Sequence, residues 1–250
     1  MVKTDDNLIH VLGQKLALYQ APDGFRTSMD SVMLGAACPI KPGQSILDLG
    51  CGVGSAGLCA LYRVEDTTLN GVDVQPCHVD IATKNAAQND MSKRAQFVCA
   101  DIRETLDLPT YHHVICNPPY YEYGMHIHSP SDAKAKAMGH TEGDISLQSW
   151  VTRAWHHIKG QGSLTMIHDA GQTDALLHAL YSHNGGRRFG NVEIIPLYPR
   201  TNTPAKRVII RAYKHKKSPA ILHQGIIMHD ENGDYTKAAE NILRNVYSLL

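Results

Sequence analysis

The residues best suited to chemistry form one tetrapeptide, Asn117-Pro118-Pro119-Tyr120, which follows an apolar run at residues 113–116. Proline fixes φ and lacks a backbone N–H, so two consecutive prolines make a stiff corner. This corner offers the Asn117 side-chain oxygen and the Pro118 carbonyl as acceptors beside the Tyr120 ring. Two acceptors next to an aromatic ring suit a planar amino group, so the sequence predicts a site that grips an exocyclic or amide nitrogen. An ordinary tight turn is the alternative, because Asn and Pro are common in turns.

A second signal is a glycine-rich stretch that follows an apolar strand-like run. Gly50, Gly52 and Gly54 remove side chains where the backbone must turn sharply and a ligand must come close. Asp48 ends the strand before this loop and can bind loop amides or a ligand cation. Asp73 ends the next strand, about 20 residues further on, where a carboxylate commonly takes ribose hydroxyls. The stretch therefore predicts a loop that binds a nucleoside-containing cofactor.

The same glycines admit a second interpretation. Residues 52–57 satisfy the dinucleotide fingerprint Gly-x-Gly-x-x-Gly, which would indicate NAD. However, the first glycine of that match lies beyond the expected turn, and a carboxylate at Asp48 would lie poorly beside a pyrophosphate. S-adenosylmethionine has ribose and adenine, no phosphate, and an ammonium group that suits an acid. The sequence therefore favours S-adenosylmethionine as the cofactor.

Further cofactor contacts are predicted at the ends of the second and third strands. Val74 follows Asp73, and Asp101 follows the third strand with Ile102 next to it. Asp101 can accept the adenine amino group while the Ile102 N–H donates; a helix cap is the alternative for Asp101. Asn117 follows the fourth strand. The candidate residues thus fall at the C-terminal ends of successive strands, where open α/β sheets bind ligands.

The order of elements predicts the α/β class. From Ser45 onward strands alternate with helices, which is typical of a parallel sheet with helices on both faces. The last two strands, at 192–197 and 208–213, are expected to form an antiparallel pair. We predict a Rossmann-like, doubly wound, seven-stranded, mostly parallel sheet with a small N-terminal hairpin. The predicted segments are 1–40, with the hairpin and a cofactor-covering stretch, 41–217, the main domain, and 218–250, an extension with a terminal helix from Asn232.

Composition narrows the class of protein further. The 250 residues carry 24 basic and 24 acidic side chains, so no global field draws the chain to nucleic acid, and any such contact needs a local patch. No apolar stretch is long enough for a membrane span, and the first residues contain no signal-like apolar core. The 6 cysteines lack Cys-x-x-Cys spacing and the 15 histidines lack zinc-ligand spacing. We therefore expect a soluble cytoplasmic protein without a metal.

Together, these motifs resemble the class I S-adenosylmethionine-dependent amino-methyltransferases. A resemblance over nearly the whole chain adds flanking stretches at 25–34, 196–200 and 204–208. It indicates the bacterial tRNA1(Val) adenine-N6 methyltransferase family, which modifies the adenine next to the anticodon. This resemblance implies that the segment before the glycine loop lies over the cofactor, with Arg26 and Asp30 near its methionine end. It also implies a tRNA substrate and a second aromatic substrate contact, Tyr121, after the tetrapeptide.

RNA binding requires positive charge, which the chain supplies mainly near its C-terminal end. We predict that Lys206 and Arg207 bind RNA, and a solvated strand edge protected by lysines is the alternative. The basic residues of this region are Arg187, Arg188, Arg200, Lys206, Arg207, Arg211, Lys214, Lys216 and Lys217.

Three other functions share parts of this pattern. Glutamine-N5 methylation of release factors uses the same tetrapeptide, because a side-chain amide resembles an adenine amino group. Those enzymes usually carry a sizeable helical domain before the glycine loop. DNA adenine methylation usually requires a larger recognition region than residues 118–145 supply, and a silent cofactor-binding protein would not need Asn117 and Tyr120. The sequence leaves the oligomeric state open between a monomer and a weak dimer.

Overall fold

A computed structural model describes residues 8–21, 27–120, 145–182 and 189–249 of the chain. The predicted N-terminal hairpin is present, with β1 (Leu8–Val11) antiparallel to β2 (Leu16–Tyr19). Helix α1 (Met29–Ala37) begins after Ser28, whose side chain accepts a hydrogen bond from the Asp30 backbone N–H. A serine in this position satisfies one of the free N–H groups of the first turn.

Strands and helices then alternate, as the sequence predicts, and most elements lie within a residue or two of the expected bounds. They are β3 (Ser45–Leu49), α2 (Ser55–Arg63), β4 (Thr68–Asp73), α3 (Pro76–Gln88), β5 (Ala95–Cys99), β6 (Tyr111–Cys116), α4 (Leu147–His157), β7 (Ile158–Asp169), a 3-10 turn (Ala170–Gln172), α5 (Thr173–Tyr181), β8 (Phe189–Tyr198), β9 (Arg207–Lys214), β10 (Ile221–Leu222), β11 (Ile226–Ile227) and α6 (Lys237–Leu243).

The main sheet has the strand order β10-β8-β9-β7-β6-β3-β4-β5, and β11 also pairs with β8. Strand β9 is antiparallel to both of its neighbours, and the other pairs are parallel. The predicted sheet of seven strands with an antiparallel pair is confirmed. The short strands β10 and β11 extend it at the β8 edge. The strand order reverses between β3 and β6, which is where ligands bind in open parallel sheets.

Helices cover both faces of the sheet, which confirms the doubly wound arrangement. One apolar core lies under α1, α2 and the hairpin, with Met33, Leu34 and Leu58 fully buried. The other lies under α4 and α5, around Val151 and Leu176. Both faces of the central strands are therefore dry, as their continuous apolar sequences require.

The terminal helix is shorter than the sequence predicts. Its first residues instead form a turn, in which the Asp230 carboxylate accepts hydrogen bonds from the backbone N–H groups of Asn232 and Asp234 at 2.9 and 3.0 Å. Gly233 has φ +92°, which ends any helical continuation. Helix α6 starts only after Thr236 and already ends at Leu243, so the predicted helix over residues 232–250 is wrong at both ends. No helix of the four described ranges is long and apolar enough to cross a membrane.

Candidate active site

The tetrapeptide directly follows the C-terminal end of β6. This end lies beside the C-terminal end of β3, because Cys116 pairs with Leu49. The Asn117 Oδ1 atom is buried and has no hydrogen-bond partner among the residues that the structure describes. Buried acceptors are almost always satisfied, because an unmade hydrogen bond costs about 1–3 kcal/mol. The corner therefore presents a desolvated acceptor to which no described residue donates.

Tyr120 is held by residues from distant parts of the chain. Its hydroxyl donates to Asp30 Oδ2 at 2.7 Å, and Arg207 Nε donates to the same oxygen at 3.0 Å. The Arg207 guanidinium carbon lies 4.5 Å from the centre of the Tyr120 ring. Burial and the Asp30 contact raise the pKa of Tyr120, so the hydroxyl stays protonated and acts as a donor. The structure thus brings together Asp30, Tyr120 and Arg207, which the sequence had assigned to three separate roles.

His168 also belongs to this group, and sequence reasoning missed it. Its ring centre lies 5.0 Å from that of Tyr120 at an interplanar angle of 59°, and the residue is 2% exposed. Burial lowers the pKa of His168 despite the opposing effect of the Pro119 carbonyl, so the imidazole is neutral at pH 7. The sequence could have indicated His168, because it lies at the C-terminal end of the fifth parallel strand. The predicted acids and Asn117 lie at the corresponding ends of the other parallel strands.

The glycine loop has the geometry that its sequence predicts. Gly50, Gly52 and Gly54 all adopt positive φ, at +69°, +53° and +82°. A Cβ on Gly50 would lie 2.7 Å from the Trp150 ring, so this position needs glycine for packing as well as for φ. A Cβ on Gly52 would meet no atom within 4 Å. The loop backbone therefore packs against Trp150 at Gly50, and the space beside the Gly52 backbone is open.

The two acids of this region have different environments. Asp48 is 2% exposed and its Oδ2 accepts the Gly57 N–H of α2 at 3.0 Å. Burial raises the pKa of Asp48 to about 7, which the Gly57 N–H partly opposes and nearby Asp73 increases. Asp73 accepts the N–H groups of Gly52 and Gln75 at 2.9 and 3.0 Å. Burial tends to raise the pKa of Asp73, but the His78 ring, 3.3 Å away, and the hydrogen bonds from these amides hold it below the usual value, so Asp73 is ionised.

The remaining predicted cofactor residues line the edge next to β4 and β5. Val74 directly follows β4 and is 56% exposed, an unusual position for an aliphatic side chain, while Ile102 is 7% exposed. Asp101 is engaged by Arg103, whose Nε donates to it at 2.8 Å. This contact lowers the pKa of Asp101. Arg26 and Tyr121 lie outside the described residues.

The hairpin is linked to the glycine loop through one amide that the sequence did not single out. Asn85 of α3 is fully buried, and its Oδ1 accepts the Tyr19 N–H at 2.7 Å. Its Nδ2 donates to the Tyr19 carbonyl at 3.0 Å and to the Val53 carbonyl at 2.9 Å. Beside it, the hydroxyls of Thr27 and Ser55 contact each other. The segment that precedes α1 is therefore fastened to the loop that precedes α2.

Some residues of the predicted basic region are engaged by the protein itself, and Arg187 and Arg188 lie outside the described residues. Arg211 is 7% exposed and paired with Glu193, so including it in an RNA-binding patch was wrong. Lys214 Nζ donates to the Trp155 and Ile158 carbonyls, both at 2.8 Å. Lys206 and Arg200 are exposed in the β8–β9 connection. In the described part of the chain, no three His, Cys, Asp or Glu side chains come together as a metal site.

The fold and this site define a class I methyltransferase. A family model described as "Methyltransferase small domain" matches residues 29–183, and the chain belongs to that family. The predicted enzyme class and its cofactor, S-adenosylmethionine, are thereby confirmed, and solved structures agree on the fold.

The chain is also similar to enzymes named tRNA1(Val) (adenine(37)-N6)-methyltransferase, which confirms the predicted resemblance. The one from Shewanella amazonensis is 25% identical over 226 residues, 90% of this chain and 92% of the relative. The one from Aliivibrio salmonicida is 34% identical over 101 residues, 40% of this chain and 43% of the relative. The match to the relative from Shewanella sp. (strain MR-4) likewise spans only 50% of that protein.

Two solved structures illustrate the shared fold. A predicted O-methyltransferase from Agrobacterium tumefaciens, Atu636, has a TM-score of 0.70 at 22% identity, covering 88% of this chain and 98% of its own. A methyltransferase from Pyrococcus furiosus has a TM-score of 0.56 at 14% identity, covering 80% and 89%. At such identities the likeness concerns the fold alone.

Proposed function

We propose that this chain transfers the methyl group of S-adenosylmethionine to the N6 amino group of an adenine in RNA, specifically in a tRNA. The observation that carries the proposal is the buried Asn117 Oδ1, which has no partner among the described residues and lies in the same tetrapeptide as the Pro118 carbonyl and the Tyr120 ring. The names of the relatives support tRNA as the substrate. A tRNA substrate in turn supports a location in the cytoplasm.

The described residues fit the cofactor. The unobstructed backbone at Gly52 leaves room for the methionine part, and ionised Asp73 keeps lone pairs for ribose hydroxyls. Val74 and Ile102 offer apolar walls for the adenine, with Asp101 as acceptor for its amino group. Asp48 supports the site indirectly, because its carboxylate accepts the Gly57 N–H and so holds the first turn of α2 in place. When bound, S-adenosylmethionine supplies an electrophilic methyl group on a sulfonium.

The target amino group is held by the corner. Asn117 Oδ1 and the Pro118 carbonyl accept its two hydrogens, and Tyr120 stacks on the purine. This turns the nitrogen lone pair, otherwise delocalised into the ring, toward the methyl group. The nitrogen would then take the methyl group in place of one proton, which it would lose to solvent. Catalysis in this scheme comes from positioning and fixed dipoles, without a dedicated general base.

The RNA must present an unpaired base. An adenine in a folded loop has to turn outward before its amino group reaches a pocket at a sheet edge. Lys206 is exposed beside this edge and is our candidate phosphate contact. Such contacts would make binding dependent on salt.

The direct test uses labelled S-adenosylmethionine with separate pools of tRNA, DNA and protein. We expect label in tRNA, recovered as N6-methyladenosine after nuclease digestion. Asn117→Ala should lower turnover by about 100-fold or more, since it removes a preorganised acceptor, while calorimetry finds cofactor affinity unchanged. Asn245→Ala, an exposed position after α6 and outside the basic region, is the matched control. Label in glutamine or in DNA instead of tRNA, or full activity of Asn117→Ala, would refute the proposal.

A further inference from the structure

One carboxylate oxygen joins three elements beside the tetrapeptide. Asp30 Oδ2 accepts both the Tyr120 hydroxyl, at 2.7 Å, and Arg207 Nε, at 3.0 Å. Asp30 lies in the first turn of α1 and is 6% exposed, Tyr120 follows β6, and Arg207 begins β9. Hydrogen bonds to a buried carboxylate are strong and directional. The hydroxyl end of the Tyr120 ring is therefore fixed.

The flat side of the same ring is fixed as well. The Arg207 guanidinium lies over the ring, 4.5 Å from its centre, in a cation–π contact. Arg207 is itself anchored, because Nη1 donates to Asp169 Oδ2 at 3.3 Å and to the Lys206 carbonyl at 3.0 Å. An aromatic ring has two faces, and Arg207 covers one of them. A base that stacks on Tyr120 cannot use the face that Arg207 covers.

These contacts also weaken the attraction of the Arg207 guanidinium for a phosphate. Its side chain is 29% exposed and paired with two carboxylates, those of Asp30 and Asp169. Two anions at hydrogen-bond distance neutralise the cation locally and leave it weakly attractive to a phosphate. Lys206, the adjacent residue, is exposed. Two neighbouring basic residues thus have different surroundings, and different roles follow.

We propose that Asp30 and Arg207 are positioning residues that hold the Tyr120 ring in a fixed orientation for the target base, and that Arg207 does not bind the RNA backbone. This inference rests on the proposed function. It predicts that removing either residue slows methyl transfer without weakening RNA binding, because the misplaced ring affects the bound base and not the phosphates.

Kinetics separate this role from a phosphate contact. We expect Arg207→Gln to lower kcat at saturating RNA by about 10- to 100-fold, as small misplacements do. The RNA Kd and its salt dependence should stay within about twofold of the wild type. Arg207→Lys keeps the charge but lacks the planar group, so it should not restore kcat. Lys206→Gln is the contrast, with a weaker Kd and a salt slope reduced by about 1. If Arg207→Gln behaves like Lys206→Gln, or if Arg207→Lys restores full activity, the proposal is wrong.

A double-mutant cycle tests the shared oxygen. Tyr120→Phe removes only the hydroxyl, and Asp30→Asn removes the charge and turns one of the two acceptor oxygens into a donor. If both act through one contact, the double variant should lose no more turnover than the worse single variant. Multiplied losses in the double variant would contradict a common role.

A measurement on the free protein keeps this inference separate from the proposed function. In protein labelled with 3-fluorotyrosine, the Tyr120 signal among the 11 tyrosines is assigned as the one that Tyr120→Phe removes. Arg207→Gln and Asp30→Asn should shift or broaden it, and Lys206→Gln should leave it in place. An unmoved signal overturns the positioning role even in an active enzyme. A wild type that methylates no RNA refutes the proposed function, while this signal still decides whether Asp30 and Arg207 hold the ring.

Discussion

Asp48→Asn should make the protein more stable at pH 8 than the wild type. Asp48 is buried under the glycine loop, and burial raises its pKa from 3.8 to about 7. The folded chain therefore holds a proton that the unfolded chain releases between about pH 4 and 7. The wild type accordingly gains stability from this group as the pH falls through that window, and above pH 7 it carries the full cost of a buried carboxylate. Asn is neutral and its Oδ1 can still accept the Gly57 N–H.

The size of the effect follows from the shift. Three pKa units correspond to roughly 4 kcal/mol at 1.36 kcal/mol per unit, which is an upper bound for the gain. Urea denaturation of both proteins at pH 4, 6 and 8 gives the free energy of unfolding. The difference should be largest at pH 8, smaller at pH 6 and close to zero at pH 4. Asp80→Asn, on the exposed side of α3, is the control and should change little at any pH. A less stable Asp48→Asn at pH 8 would show that the carboxylate is ionised and favourably paired, which refutes the reasoning.

Two further stability predictions concern polar groups away from the site. Burial lowers the pKa of His113 from 6.5 to about 4, so the free energy of unfolding should fall by up to roughly 3 kcal/mol as the pH drops from 6.5 to 4. His113→Gln should lose this acid sensitivity in urea titrations. A variant with the same pH profile as the wild type would contradict this prediction. Arg211→Met removes the arginine partner of buried Glu193, which then keeps only the His223 contact at 3.2 Å among the ion pairs of the described residues, and should cost about 3 kcal/mol, the lower end of the range for a broken buried pair. Arg211→Met with Glu193→Gln should recover much of this loss in thermal unfolding, and an additive loss would argue against the pair.

The parts of the site that sequence could predict are those set by local chemistry. Proline fixes the corner after Asn117, and glycine permits the positive φ at Gly50 and Gly54, whatever the rest of the chain does. The prediction that the acids after the strands lie in one site followed from a general property of parallel sheets. The C-terminal ends of their strands meet at one edge. These predictions needed no knowledge of which strands are neighbours.

The contacts of Arg207 and Arg211 could not be predicted in this way. Asp30 and Arg207 are 177 positions apart, and Glu193 and Arg211 meet only through the register of β8 and β9. Counting basic residues treats all of them as available cations, because it cannot see the carboxylates that face them. The predicted length of the terminal helix was wrong for a related reason, because helical periodicity does not reveal that the Asp230 side chain closes a turn.

The antiparallel strand explains why Arg207 escaped a search along the strand ends. Parallel strands bring their last residues to the ligand-binding edge, as β6 and β7 do with the residues around Asn117 and His168. Strand β9 runs the other way, so its first residue reaches that edge, and Arg207 pairs with Asp169 at the end of β7. A sheet of this topology therefore recruits site residues from the start of its antiparallel strand as well as from the ends of its parallel ones. The sequence predicted this strand at 208–213 and did not show that it lies beside β7, so Arg207 could be assigned to this edge only once the strand order was known.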